Sequence, residues 1–178
     1  NSLIIGSSGS GKSFFVNYLC INEYHSNTMV RIIDIGGSYK KLVTLCNARY
    51  LDFSPETTLC LNPFTNISDE DIDLPMIKNI VSQMAYSQSN EEPNEIEETL
   101  LKNAVYWAYN NKGNKATMDD IYHYLHKYPK YANEEIKLSQ TKKIITQYAH
   151  TLAFNIRKFT SNGSYGKYFI GDSEFDIS

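Results

Sequence analysis

Apolar residues follow two different patterns along this chain, and the change between them falls near residue 68. Before that point, four short apolar runs are typical of buried strands: residues 2–5, 30–35, 49–53 and 58–61. Residues 12–26 have the spacing of a helix with Phe15 and Leu19 on its inner face, and Ser38 is placed to cap a second, short helix. Strands separated by helices of this length predict βαβ units, and therefore a parallel sheet.

From residue 69 to about residue 161 the pattern is almost entirely helical. Apolar stripes predict four helices, at residues 69–86, 95–111, 118–128 and 133–158. Thr117 and Asn133 stand where the caps of two of these helices belong. A glycine-rich turn follows and leads into a short strand near residue 170. The expected organisation is an α/β core over residues 1–68, an all-helical insertion over 69–161, and a segment returning to the core over 162–178.

The composition is that of a soluble globular protein, and no nucleic-acid site is evident. The 178 residues are 42% apolar and 21% charged. The net charge is −3, whereas a dedicated nucleic-acid surface shows as a basic excess. Cys20, Cys46 and Cys60 lack the spacing of metal ligands, which favours a reducing, cytoplasmic compartment. No apolar run approaches the ~20 residues that cross a membrane.

One segment carries strong chemical information, the phosphate-binding loop (P-loop) Gly6-Ser7-Ser8-Gly9-Ser10-Gly11-Lys12-Ser13. Its glycines let backbone N–H groups point at phosphate oxygens, and the helix that follows adds the partial positive charge of its N-terminus. Lys12, a candidate catalytic residue, is expected to reach the β and γ phosphates, and the Ser13 hydroxyl to ligate magnesium. Phe14 and the P-loop are the predicted contacts of the nucleotide. Residues 1–68 are therefore the predicted core that binds ATP and Mg²⁺. Because so few residues precede the P-loop, we expect the chain to be a segment of a longer protein.

The acids of a hydrolytic site are harder to place. Asp34 ends the second predicted strand, at the sheet edge where ligands bind, and is the second candidate catalytic residue. Two roles stay open for Asp34: an indirect contact to magnesium, or a cap for the glycine turn that follows. Asp52 fits the pattern of a Walker B acid less well, and Glu174 and Asp176 have no strand behind them. A Walker B acid and an arginine finger are therefore expected outside this chain.

Three other side chains have a weaker claim to chemistry. His123 and His126 are three residues apart on one predicted helix, which suits a metal ion, but a solvent-facing pair without a third ligand is favoured. Arg157 is a candidate arginine finger, which would contact a phosphate, although a surface or capping role is favoured.

Four segments together resemble a known family. They occur in order along the chain: residues 6–15, 33–42 (IDIGGSYKKL), 61–64 (LNPF) and 163–169 (GSYGKYF). In this combination the sequence resembles the TraC-like ATPases of conjugation and type IV secretion, within the HerA–FtsK superfamily. The resemblance extends across the whole chain. It implies a partial RecA-like P-loop NTPase core of class α/β, with a parallel sheet, interrupted by the all-helical insertion.

The resemblance also implies a function. Proteins of this family are cytoplasmic motors peripheral to the bacterial inner membrane, which assemble as hexamers and hydrolyse ATP to drive pilus assembly or substrate transfer. Their expected partners are copies of themselves and other secretion-system components at that membrane. In this family the acid at the strand end corresponds to Asp34, and the Walker B pair lies further downstream.

Two other functions stay open on the residues alone. A small-molecule P-loop kinase with a helical lid fits the organisation, but it needs several cations around the transferred phosphate. The chain has three arginines: Arg31, Arg49 and Arg157. A nucleotide-gated assembly module would bind ATP without chemistry. For the ATPase, we expect this chain alone to bind ATP–Mg²⁺ and to hydrolyse it poorly, with full activity in the longer protein.

Overall fold

The computed structural model describes residues 3–7, 9–52, 59–89, 91–131 and 139–171. The chain separates into two compact units, Asn1–Phe53 and Ser54–Ser178. In the described residues, the first unit holds two helices joined by irregular backbone, and the second holds five helices around one core. The three-part division expected at residues 68 and 161 stays a prediction.

The described residues contain no β-strand, so the predicted α/β class, with a parallel sheet in a partial RecA-like core, is wrong for this structure. Residues 3–5 and 30–35 have no regular secondary structure, and Ile33 and Ile35 are each 100% exposed. Aliphatic and β-branched residues favour an extended backbone, but a strand forms only when a second segment pairs with its N–H and C=O groups. No described segment supplies that pairing. Residues 53–58, which hold parts of two predicted strands, lie outside the described residues.

In the first unit, helix α1 runs over Lys12–His25 and helix α2 over Lys40–Leu45. Both confirm helices predicted from the sequence. Helix α1 begins directly after Gly11, whose φ of 83° is left-handed. The predicted inner face of α1 is wrong, because Phe15 and Leu19 are 49% and 39% exposed and no residue of the helix is buried. The sheet that would cover this face is absent from the described residues.

The second unit contains helices α3 (Glu70–Ala85), α4 (Glu95–Lys112), α5 (Met118–His126), α6 (Tyr128–Tyr131) and α7 (Ser139–Ile156). Four of these confirm the helices predicted from apolar spacing, and α6 adds a single turn. The predicted start of the last helix, Asn133, lies outside the described residues. Three 3-10 turns complete the described part of the unit: Gly113–Lys115, Arg157–Phe159 and Gly166–Tyr168. Residues 169–171, near which a short strand was predicted, have no regular secondary structure.

Side-chain caps explain where α4 and α5 begin. The Asn94 side chain accepts a hydrogen bond from the Glu97 N–H at 3.1 Å, and the Glu97 carboxylate accepts one from the Asn94 N–H at 3.0 Å. At α5 the Asp120 carboxylate accepts from both the N–H and the hydroxyl of Thr117. Caps of this kind stabilise a helix by about 1 kcal/mol each, and they set the first residue of each helix.

Helices α3, α4, α5 and α7 bury one apolar core. Its largest fully buried side chains include Leu101, Val105, Ile121, Leu125, Leu152 and Ile156. In α4, α5 and α7 these residues are four positions apart, so each pair lies on one face of its helix. Burial of each such side chain stabilises the unit by about 1.5–3 kcal/mol. None of the described helices combines the length and the apolar character of a membrane span.

Candidate functional site

The P-loop joins an irregular apolar segment to the start of α1. Gly9 and Gly11 have φ angles of 79° and 83°, in the left-handed region that residues with a Cβ rarely adopt. Gly6 has a different role, because a Cβ there would come within 2.6 Å of the Ser10 hydroxyl oxygen. The turn before α1 therefore depends on glycine at two positions for its backbone conformation, whereas at Gly6 a Cβ would require only the Ser10 side chain to move. Ser8 lies outside the described residues.

The Lys12 ammonium lies across the P-loop and donates to two backbone carbonyls. Its Nζ is 2.6 Å from the Gly6 oxygen and 2.5 Å from the Ser7 oxygen. Both bonds are made at an exposed position, where water competes for the donor. A phosphate offers this ammonium a charged acceptor, and charge-assisted hydrogen bonds are roughly twice as strong as neutral ones. A phosphate oxygen would therefore be a stronger acceptor for this ammonium than either carbonyl.

The N-terminus of α1 is open to an anion. Helix α1 has neither a side-chain cap nor an acidic residue in its first turn. By contrast, α3, α4 and α5 each carry carboxylates in their first turns. The first N–H groups of α1 and the partial positive charge at its start are therefore not offset by a carboxylate of the helix. An anionic group such as a phosphate would be stabilised there.

Ser13 and Phe14 lie in the first turn of α1 and are exposed. Phe14 is 79% exposed, beside the P-loop. Magnesium at such loops takes much of its coordination from phosphate oxygens and water, so a single hydroxyl is a sufficient protein ligand. Among the described residues no group of three or more His, Cys, Asp or Glu side chains is placed to hold a metal ion. The assignment of Ser13 to magnesium stays a prediction.

Asp34 caps the turn that follows it. Its Oδ2 accepts a hydrogen bond from the Tyr39 N–H at 3.3 Å. The turn that this hydrogen bond closes contains Gly36 and Gly37, whose φ angles are 117° and 75°. Of the two roles open for Asp34, this contact supports the cap, and the contact to magnesium stays a prediction. Asp52 is engaged separately, 3.8 Å from the Lys40 ammonium in an exposed ion pair.

A cavity of about 480 Å³ lies in the first unit between α1 and α2. Its wall is mostly apolar and includes Asp34, Cys20 and Cys46. Burial raises the pKa of the Cys20 thiol, which keeps that thiol protonated and unreactive near neutral pH. No described residue of the P-loop lines this cavity, so the cavity is not formed by the described part of the predicted phosphate site.

Sequence comparison identifies the family. A family model for the TraG P-loop domain matches residues 1–177. The chain belongs to the TraG P-loop domain family. Protein TraC of Escherichia coli (strain K12) is 30% identical over 172 residues, which are 97% of this chain and 18% of that protein. The predicted resemblance to TraC-like proteins is thereby confirmed, while no solved structure matches.

The weaker candidates of this TraG P-loop domain lie in its second unit and serve separate contacts. His123 stacks on Trp107 with ring centroids 6.3 Å apart, whereas His126 stacks on Tyr122 at 5.4 Å. No third metal ligand joins the two histidines among the described residues. Arg157 begins the 3-10 turn that follows α7. The ring contacts support structural roles for the two histidines, and the role of Arg157 stays a prediction.

Two of the four family segments meet in the second unit of this TraG P-loop domain. The Leu61 N–H donates to the Tyr168 carbonyl at 2.5 Å. The buried Asn62 amide donates to the Ala116 carbonyl at 2.9 Å and to the Gly171 carbonyl at 3.4 Å. Sequence reasoning missed this junction, because it treated residues 61–64 only as one of the segments that carry the family resemblance. The resemblance of the sequence to the family identifies both segments, but a single sequence does not show that they are in contact.

Close backbone packing explains the glycines of the last family segment. A Cβ on Gly163 would overlap the Arg157 carbonyl oxygen, and a Cβ on Gly166 would overlap that of Thr160. Both obstacles are main-chain atoms, so they do not yield as a flexible side chain would. The glycines let this turn fold back on the end of α7.

Proposed function

We propose that this chain is the ATP-binding part of an ATPase that powers conjugation or type IV secretion. Its membership of the TraG P-loop domain family and its similarity to protein TraC support the proposal. The observation that carries it is the Lys12 ammonium, held over the P-loop by two neutral carbonyls in front of an uncapped helix. A cation with neutral partners and a helix start without carboxylates suit a polyanionic ligand.

In this proposal each part of the loop has a task in binding ATP–Mg²⁺. Backbone N–H groups at the start of α1 hold phosphate oxygens, and Lys12 leaves the carbonyls of Gly6 and Ser7 for the β and γ phosphates. The Ser13 hydroxyl takes one place around magnesium, and Phe14 lies beside the bound nucleotide. Bound magnesium neutralises charge that develops on the phosphates. Asp34 keeps the neighbouring turn in place and contacts magnesium only through water.

We expect slow hydrolysis by this chain alone. Hydrolysis needs an acid that orients the attacking water, and commonly an arginine from a neighbouring subunit. Asp34 is bonded to a backbone N–H and Asp52 faces a lysine, so both carboxylates are engaged elsewhere. Glu174 and Asp176 lie outside the described residues. In a hexamer at the cytoplasmic face of the inner membrane, with other secretion-system components as partners, a neighbouring subunit would supply the arginine. The Walker B acid would come from a downstream part of the longer protein.

Titration of ATP–Mg²⁺ into the chain tests the site. Lys12→Ala removes the charge-assisted bonds to phosphate, and we expect about tenfold weaker ATP affinity or more. Lys41→Ala, at an exposed lysine of α2, is the matched control and should bind ATP as the unaltered chain does. Equal ATP affinity in the Lys12→Ala variant, with an unchanged circular dichroism spectrum, would contradict the site.

Phosphate release separates this ATPase from the alternatives. Family membership argues against a small-molecule kinase, so added hydroxyl acceptors should not raise ADP production. One observation favours an assembly module that binds ATP without chemistry, namely the engaged carboxylates of Asp34 and Asp52. Turnover that rises with protein concentration supports the ATPase. Tight ATP binding with no phosphate release in the assembled, longer protein supports the assembly module.

A further inference from the structure

The second unit contains a pocket of about 360 Å³ between α4 and the helices that follow it. Three tyrosines form much of its wall: Tyr124 of α5 and Tyr128 and Tyr131 of α6. Its volume falls in the range of about 300–1,000 Å³ typical of small-ligand sites. None of its described lining residues belongs to the P-loop.

Two of these tyrosines are buried and lack a partner for the hydroxyl group. Tyr124 and Tyr128 are each only 6% exposed, yet neither hydroxyl makes a hydrogen bond within the described part of the chain. Their oxygens are not among the fully enclosed unpaired atoms, so both hydroxyls keep access to solvent, and both residues line the pocket. A ligand with hydrogen-bonding groups would take the place of solvent at these hydroxyls.

The aromatic rings beside the pocket pack against one another. Tyr131 stacks on Tyr124 with ring centroids 5.2 Å apart and planes 13° apart. Trp107 lies behind them, 5.0 Å from the Tyr131 ring and 5.5 Å from the Tyr124 ring. Faces of such rings attract cations through their quadrupoles.

One carboxylate supplies the charge of the pocket. Of the three glutamates in the first turn of α4, Glu97 completes the capping box and Glu98 pairs with Lys78 at 2.5 Å. The third, Glu95, lines the pocket, and its carboxylate makes no hydrogen bond or ion pair in the described residues. The described residues of the lining include no lysine, arginine or histidine, so this part of the wall carries a net negative charge.

We propose that this pocket binds an organic cation with the chemistry of an arginine side chain. A guanidinium group carries five N–H donors in one plane and has no acceptor. The Glu95 carboxylate, the tyrosine oxygens and the Asn103 amide oxygen offer acceptors, and the tyrosine rings match the planar shape. A phosphate or carboxylate ligand would be repelled by Glu95, and a neutral ligand would leave that charge unpaired.

Trp107 provides a signal for the test, because it is the single tryptophan of the chain and contacts two tyrosines of the pocket. N-acetylarginine amide, titrated into the full 178-residue chain, should change the Trp107 emission in a saturable way. N-acetylcitrulline amide, which has the same shape without the charge, should bind about tenfold more weakly or worse. Glu95→Gln should weaken binding of the arginine probe to a similar extent.

Glu92→Gln, at an exposed carboxylate just before α4, is the matched control and should leave the affinity unchanged. Asn103→Ala gives a second variant at an exposed position of α4 and should also weaken binding. Agmatine represents a free metabolite, and the blocked arginine represents a side chain of a polypeptide. Saturable binding of either probe supports the cation site, and the probe that binds more tightly identifies the source of the ligand. Equal affinity for the citrulline probe, an unchanged affinity in Glu95→Gln, or no saturable signal would each overturn the proposal.

Discussion

Replacing Asn62 with alanine should destabilise the helical second unit. Asn62 is 4% exposed, and its side chain makes three hydrogen bonds. Its Nδ2 donates to the Ala116 carbonyl at 2.9 Å and to the Gly171 carbonyl at 3.4 Å. Its Oδ1 accepts from the Phe64 N–H at 3.3 Å. The amide thus ties the segment before α3 to the connection between α4 and α5 and to the end of the described chain.

The size of the effect follows from the groups that lose a partner. Ala116 and Phe64 are both 0% exposed, so their carbonyl and N–H groups have little access to water. Each buried group left unsatisfied costs about 1–3 kcal/mol. The bond to Gly171 is long and adds little. We expect a loss of about 2–4 kcal/mol from the free energy of unfolding, out of the ~5–15 kcal/mol typical of a domain.

Urea unfolding measures this loss through the emission of Trp107, which lies in α4 of the second unit. Asn110→Ala, at an exposed position of the same helix, is the control and should change the free energy of unfolding by less than about 0.5 kcal/mol. The reasoning is refuted if Asn62→Ala lowers the free energy of unfolding by less than about 1 kcal/mol while the slope of that free energy against urea concentration is unchanged. The Ala116 carbonyl and the Phe64 N–H would then have other hydrogen-bond partners.

Gly166→Ala should destabilise the second unit by about 3 kcal/mol, because the new Cβ would overlap the Thr160 carbonyl oxygen, whereas Ser164→Ala in the same turn is exposed and should be neutral. Equal urea midpoints for these two variants would show that the turn can yield. Burial raises the pKa of Tyr124 to about 12 from its ordinary value of 10.0. Between these values the unfolded chain releases the phenol proton while the folded chain retains it, so stability should fall as pH rises through this window and be unaffected below it. Tyr124→Phe should make the fall shallower in urea titrations at each pH, and an identical slope in both proteins would rule out Tyr124 as its source.

Features that depend on near neighbours along the chain were predictable. The cap at Thr117 and the apolar stripes of α4, α5 and α7 are complete within a few turns of helix, and the structure confirms those helices. The P-loop is also local: Lys12 bonds to residues five and six positions before it, and α1 starts where the sequence predicts. Such contacts need no distant partner, so a short window of sequence contains all the groups that form them.

Features that depend on distant segments required the fold. Ile33 and Ile35 have the residue type of a strand, yet no described segment pairs with them and their side chains are exposed. Asn62 bonds to carbonyls 54 and 109 positions away. The tyrosine pocket combines side chains from α4, α5, α6 and α7. The chemistry of asparagine implies that its side-chain amide needs a hydrogen-bond partner when it is buried. Which group becomes that partner depends on the path of the whole chain, which brings distant residues together.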